Sequence, residues 1–259
     1  MDLSLRGKRA LVCGSTDGIG KATALLLADR GAEIILMARN KQKLAKTCAQ
    51  LSTEFGQKHS MVCADFNTST EVKNAISTRL NENIHILVNN SGGPHGGELL
   101  NADENEFRIA FERLVIANQI ITQAIASKMK KNGYGRIINI ISISVNQVIK
   151  GLGVSNTIRG AVAQWAKTLA LELGPFGITV NNILPGYTST ERLKELSTSK
   201  AKELDVTPKE IESGWANNTS LKRLGKPEEI GSAVAFLASS SASYINGYNM
   251  AVDGGRIGT

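Results

Sequence analysis

The feature that most constrains this chain is a rhythm. Short, unbroken apolar runs alternate with longer amphipathic stretches over almost the whole sequence. The runs are Arg9-Ala10-Leu11-Val12-Cys13, 33–38 (EIILMA), 59–64 (HSMVCA), 85–89 (HILVN), 136–141 (RIINII), 178–184 (ITVNNIL) and 248–252. A run that is apolar at consecutive positions has no solvent face, so each reads as a strand covered on both sides. Between them, 18–30, 41–55, 69–81, 103–130, 154–173 and 227–238 carry helical spacing. Strand, helix, strand repeated in this way predicts a parallel sheet with right-handed crossovers. The expected fold class is therefore α/β: a single-domain, doubly wound parallel sheet of about seven strands with helices on both faces. A chain of 259 residues suits one such domain over 1–259, large enough to bury about 75% of its unfolded surface without a staple. No linker, repeat or low-complexity stretch divides it. One segment breaks the rhythm. Residues 187–224 are polar and helix-prone and follow the sixth run, the place where a lid over a substrate is expected.

Composition excludes several classes. The cysteines, Cys13, Cys48 and Cys63, are odd in number and form no Cys-x-x-Cys pair, which argues against a disulfide framework or a zinc site. Reduced thiols in a cytoplasmic protein fit better. No apolar run of about 18 residues is present, so no membrane span is expected. The first run is too short for the apolar core of a signal peptide. The net charge of +7 is spread without like-charge blocks or interleaved aromatics, so a nucleic-acid groove is not expected. A basic balance does suit anionic ligands such as a dinucleotide phosphate. The 187–224 segment holds Arg192, Lys194, Lys200, Lys202, Lys209, Lys222 and Arg223. These suit an anionic substrate, such as a carrier-linked acyl group, or simply a solvated charged face.

Cys13-Gly14-Ser15-Thr16-Asp17-Gly18-Ile19-Gly20 follows the first strand and opens the first helix. Its spacing, Gly-x-x-x-Gly-x-Gly, is a relative of the Rossmann fingerprint. Glycines allow the tight turn and the close approach of a pyrophosphate, and the free N–H groups of the helix start face the phosphates. An NAD-preferring fold places a carboxylate about 20 residues beyond the glycines. Here Arg39 stands there, with Lys41 and Lys43 close behind. A guanidinium pairs with a 2′-phosphate, so NADP(H) is expected over NAD(H).

From about residue 5 to 255 the sequence resembles the short-chain dehydrogenase/reductase family. The glycine loop has the family's form. Asp65, with Phe66 beside it, matches the residue that reaches the adenine. Asn89-Asn90-Ser91-Gly92 is similar to the family's Asn-Asn-Ala-Gly. Pro185-Gly186, with Thr188 and Thr190, matches the stretch that holds the nicotinamide end. Leu224 to Ile230 and Val252-Asp253-Gly254-Gly255 are similar to bacterial 3-oxoacyl-carrier-protein reductases. The resemblance implies hydride transfer between a nicotinamide cofactor and a carbonyl or alcohol, with a 3-oxoacyl thioester among the expected substrates. It also implies pairing into a homodimer or homotetramer. The cofactor residues carried over are Gly14, Ser15, Thr16, Gly18, Ile19, Gly20, Arg39, Asp65, Phe66, Asn90, Gly92, Arg159, Pro185, Gly186, Thr188 and Thr190.

The family's usual catalytic set is Asn, Ser and Tyr-x-x-x-Lys. Counted from local landmarks, the serine falls on Ser142, the tyrosine on Ser155, the lysine on Arg159 and the asparagine on Leu114. An alcohol is far less acidic than a phenol of pKa about 10, so Ser155 is a poor proton donor. Arg159 keeps its proton but can stabilise a developing alkoxide. Two other residues could supply a proton: His95, in the loop after the fourth strand, and Tyr187, beside Pro185-Gly186. A histidine in a solvated loop and a tyrosine packed under the lid are the plainer readings. Two functions follow. One is an NADP(H)-dependent oxidoreductase with an altered proton source. The other is an NADP(H)-binding protein with lost or reduced catalysis and a regulatory role.

Overall fold

The computed structural model describes residues 2–257. Residue 1 and residues 258–259, the limits of the expected domain, lie outside the described residues. The seven strands are β1 (Arg9–Cys13), β2 (Glu33–Ala38), β3 (Ser60–Cys63), β4 (Ile86–Asn89), β5 (Gly135–Ile140), β6 (Ile178–Pro185) and β7 (Asn249–Val252). They form one sheet in the order β3-β2-β1-β4-β5-β6-β7, parallel throughout. The apolar runs are strands because both faces are covered. Val12, Ile34, Leu36, Ile86 and Val88 pack into one cluster, while Leu11, Ile35, Met37, Leu87 and Ile137 pack into the other.

The helices are α1 (Gly18–Asp29), α2 (Lys41–Cys48), α3 (Ser69–Ser77), α4 (Glu104–Phe111), α5 (Ala117–Asn132), α6 (Gly153–Leu173), α7 (Glu191–Leu204), α8 (Pro208–Asn217) and α9 (Pro227–Ala238). Three expectations need correction. The 41–55 helix stops at Cys48. Leu51 turns inward to bury its side chain, and the Ser52 carbonyl oxygen lies 2.8 Å from Nε2 of His59, whose Nδ1 accepts from the Ile34 N–H. Those contacts hold the chain off the helix axis. The 69–81 helix stops at Ser77, where the Ser77 and Thr78 hydroxyls donate back to the carbonyl oxygens of Asn74 and Ala75. The 103–130 stretch is two helices joined by a π turn over Glu112–Ile116, a wide turn that redirects the side chains around it.

One polar line crosses the sheet. Asn89, Asn139, Asn182 and Asn249 occupy one register line through β4, β5, β6 and β7. Each amide donates to the next: Asn89 Nδ2 to Asn139 Oδ1 (2.9 Å), Asn139 Nδ2 to Asn182 Oδ1 (2.9 Å) and Asn182 Nδ2 to Asn249 Oδ1 (2.7 Å). The ladder starts on Asn89 Oδ1, which is buried and has no partner among the described residues. At the amino edge of the sheet, His85 Nδ1 accepts from the Arg9 N–H at 3.0 Å. Burial, with Lys8 and Arg9 close by, holds the His85 imidazole below its ordinary pKa.

The order of strands reverses direction between β1 and β4. In open α/β sheets the crevice at the carboxyl ends of two such strands is where ligands bind, so the fold directs attention to the loops after Cys13 and Asn89.

Candidate active site

The glycine loop is built by close backbone approach. Gly14 has φ +56°, and a Cβ there would lie 2.6 Å from the Asn90 carbonyl oxygen. Gly20 packs against the Gly14 carbonyl, leaving no room for a side chain. Asn90 Nδ2 locks this crossing by donating to the carbonyl oxygens of Cys13 (3.3 Å) and Gly14 (3.2 Å). Asp17 caps α1 by accepting from the Gly18 N–H at 2.7 Å. The start of α1 thus faces the crevice with its N–H groups in a narrow glycine cradle, the setting that accepts a pyrophosphate.

A cleft of roughly 490 Å³ opens there. Its walls include Gly14, Gly18, Ile19, Arg39, Asn90, Gly92, Ser142, Ser155, Arg159, Pro185, Gly186, Thr188 and Thr190. Most of the residues expected from the sequence therefore share one space. Ser15 and Gly20 are buried beneath the loop, and Thr16 is outside the cleft walls. Asp65 and Phe66 also lie outside them, at the end of β3. Asp65 Oδ1 accepts from the Asn67 N–H (2.9 Å), and its other oxygen is 3.9 Å from Arg39 Nη1. Phe66 packs on the apolar cluster under β1 and β2. Arg39 is mostly exposed and only loosely tethered by Asp65, so it is free to turn toward a phosphate at the rim.

At the far end of the cleft, Ser142, Ser155 and Arg159 meet. Ser142 Oγ accepts from the Ser144 N–H at 3.1 Å, which leaves its own proton available to the cleft. Ser155, on the first turn of α6, is buried apart from the cleft surface. Arg159, one turn further along α6, donates through Nη1 to the carbonyl oxygens of Ile140 (3.2 Å) and Ile141 (2.7 Å) at the end of β5. Burial, together with Arg192, pushes its pKa down to about 10, so it remains a cation near neutrality. Leu114 lies in the π turn, buried in an apolar cluster with Val154, Ile158 and Leu184.

Neither expected alternative proton donor reaches the cleft walls. His95 is exposed on the loop. Tyr187 is stacked on Trp215, with ring centroids 5.0 Å apart, and Arg256 covers the ring at 4.0 Å. Burial pushes its phenol up, with Arg256 opposing. Tyr187 also joins the two ends of the 187–224 segment, since its carbonyl oxygen accepts from the Gly225 N–H at 2.8 Å. The segment leaves the sheet at Thr188, forms the α7–α8 pair and returns at Gly225. Its first turn adds Arg192 and Leu193 to the cleft walls.

The sequence singled out neither Gly93 and Pro94 nor Leu152 as wall residues, and it saw Arg192 only as one lid cation among several. Arg192 could have been found from Thr190, whose side chain caps α7 by accepting from the Leu193 N–H. That cap sets the helix start, and with it the side chains that face inward.

Comparisons agree with this geometry. Residues 14–256 match the family described as Enoyl-(Acyl carrier protein) reductase. The chain is 34% identical over 251 residues to the short-chain reductase protein NovJ of Streptomyces niveus, covering 95% of this chain and 93% of that protein. It is 34% identical over 254 residues to dehydrogenase/reductase SDR family member 4 of Oryctolagus cuniculus, covering 97% and 94%. The crystal structure of L-sorbose reductase from Gluconobacter frateurii, complexed with NADPH and L-sorbose, superposes with a TM-score of 0.93 over 100% of both chains at 30% identity. The family match over residues 14–256, identities of 34% along nearly the whole sequence and a shared fold lead to one conclusion: the chain belongs to the short-chain dehydrogenase/reductase family.

Proposed function

We propose that the protein is an NADP(H)-dependent oxidoreductase that reduces a carbonyl, or oxidises the matching alcohol, without a tyrosine proton donor. The supporting observation is the continuity of one cleft from the glycine cradle to the Ser142–Ser155–Arg159 corner. The L-sorbose reductase structure, which holds NADPH, supports the choice of cofactor. In this reading the N–H groups at the start of α1 hold the pyrophosphate, Arg39 turns onto the 2′-phosphate, and Thr188 and Thr190 face the nicotinamide end. A bound nicotinamide supplies or accepts the hydride. The chain's own residues act on the substrate oxygen. Ser142 and Ser155 are placed to donate hydrogen bonds to it, and the Arg159 cation stabilises the negative charge that develops there. Among the cleft-lining residues there is no tyrosine, histidine or lysine. The proton is therefore assigned to water admitted at the open end of the cleft. The 187–224 segment serves as its cover.

The test is direct. NADPH and NADH are titrated by fluorescence, and turnover is followed on 3-oxoacyl thioesters and simple ketones. Tight NADPH binding with turnover on a carbonyl supports the proposal. Tight binding without turnover on any of them assigns the chain a cofactor-binding role instead. In the Ser155→Tyr/Arg159→Lys double variant, a sharp rise in rate would show that those two positions limit the chemistry.

A further inference from the structure

Three guanidinium groups, each from a different helical segment, converge on the loop Gly92-Gly93-Pro94 after β4. Arg113, in the π turn, donates to the carbonyl oxygens of Gly92 (3.1 Å) and Gly93 (3.4 Å), and through Nε to Asn67 Oδ1 (2.7 Å). Arg192, in the first turn of α7, donates to the Pro94 carbonyl oxygen at 2.7 Å. Arg159 comes from α6, and its Nη2 lies 3.2 Å from where a Cβ on Gly93 would sit. Arg113 braces the loop from behind, while Arg159 and Arg192 both line the cleft.

The carboxylates nearby are already engaged. Glu195 sits 3.3 Å from Arg192, Glu191 sits 2.7 Å from Lys194, and Asp17 caps α1. Asp65 faces Arg39 and the Asn67 N–H. Among the described residues no carboxylate forms an ion pair with Arg159. Its only acceptors are two main-chain carbonyl oxygens, both on Nη1. Among the described residues Nε and Nη2 have no acceptor, yet they are not sealed from the cleft. That free edge is the one with which a guanidinium forks a carboxylate. A cation taken largely out of water is costly unless it is paired, and here a second cation, Arg192, raises the cost. Two donor hydroxyls, Ser142 and Ser155, share the same corner.

We propose that Arg192 and the free edge of Arg159 form an anion subsite for the carboxylate of the substrate, beside the Ser142–Ser155 corner that takes its reacting oxygen, so that the preferred substrate is a free oxo or hydroxy acid rather than a neutral ketone or thioester. This rests on the carbonyl-reductase reading of the same cleft. The dinucleotide pyrophosphate is the competing anion. Its cradle lies at the end of β1, whereas Arg159 is anchored at the end of β5, two strands and roughly 10 Å away across the sheet.

The experiment uses NADPH-saturated protein and three pairs of probes: pyruvate, acetoacetate and levulinate, each beside its methyl ester. Binding is read as a thermal shift and turnover as KM. For at least one pair the acid is expected to bind about ten-fold or more tightly than the ester, the scale of a charge-assisted pair. In Arg192→Leu that ratio should collapse toward one, and in Arg159→Lys it should fall part of the way. Esters bound as well as acids in the wild type overturn the inference. So does an Arg192→Leu variant that weakens NADPH binding but keeps the acid-to-ester ratio, because the charge then serves the cofactor. An acid-specific thermal shift without turnover supports the subsite and removes the reductase reading. If NADPH does not bind, the reductase reading fails, and the same thermal shift on the free protein decides the subsite.

Discussion

The asparagine ladder yields an asymmetric prediction. Replacing Asn139 with Leu keeps the branch point of the side chain and its burial, but removes the middle of the chain of amides. Asn89 Nδ2 and Asn182 Oδ1 then lose their partners inside a sheet where Asn89, Asn139 and Asn182 are 0–1% exposed. Each orphaned group costs about 1–3 kcal/mol, so Asn139→Leu should cost about 2–6 kcal/mol from this source. Asn89→Leu behaves differently. It orphans Asn139 Oδ1, but it also removes Asn89 Oδ1, which is already buried without a partner. The number of orphans is unchanged, and the polar contribution is about zero. The larger volume of leucine adds a similar steric cost to both, so the difference isolates the ladder. At a slope near 3 kcal/mol per M, a difference of about 2–6 kcal/mol moves the urea midpoint by about 0.7–2 M. That is a large share of a total stability of about 5–15 kcal/mol. Equilibrium urea unfolding at one fixed protein concentration, followed by circular dichroism, measures both variants. Equal losses for Asn89→Leu and Asn139→Leu would refute the reasoning, because the cost would then be steric alone.

Other expectations concern the site and its protonation. Arg39→Asp should weaken NADPH binding about ten-fold, the low end for a charge-assisted bond because Arg39 is exposed, and should narrow the gap to NADH; fluorescence titration of both nucleotides checks it. Gly14→Ala places a methyl 2.6 Å from the Asn90 carbonyl oxygen at φ +56°, and should abolish NADPH binding by displacing the cradle, which calorimetry would read. Carbonyl reduction should be flat from about pH 6 to 9, where a phenol–lysine pair would titrate, because Arg159 stays a cation throughout that range; a bell with a limb near neutrality would contradict the assignment of the proton to water. Because the pKa of His85 is lowered in the fold, the unfolded chain binds the extra proton first as pH falls below about 6.5, and stability should drop by up to about 1.4 kcal/mol per pH unit. His85→Asn, which keeps an acceptor for the Arg9 N–H, should flatten that slope in urea midpoints measured from pH 7.5 to 5.

The strands, the glycine loop and Arg39 were legible because each rests on local rules. A strand buried on both faces needs consecutive apolar residues. A helix start that crosses another backbone needs glycine at Gly14 and Gly20. An exposed cation just after β2 needs no long-range partner. The carboxyl end of α2 was not legible in the same way. The periodicity continues past Cys48, but His59 and the burial of Leu51 overrule it from outside the helix. The π turn at Glu112–Ile116 carries no local signal of its own.

From the amino-acid order alone came the α/β alternation, the glycine cradle and the expectation that Leu114, Ser155 and Arg159 stand where the resemblance implies asparagine, tyrosine and lysine. Tertiary structure decided which of those side chains share a space. It removed His95 and Tyr187 from the cleft, one into solvent and the other onto Trp215. It aligned four asparagines from four strands into a single polar line. It also brought Arg113, Arg159 and Arg192, which are up to 79 positions apart in the chain, onto one three-residue loop. Periodicity reports only which face of an element is buried. The partner across that face depends on strand order and register, which are set by contacts between segments far apart in the sequence.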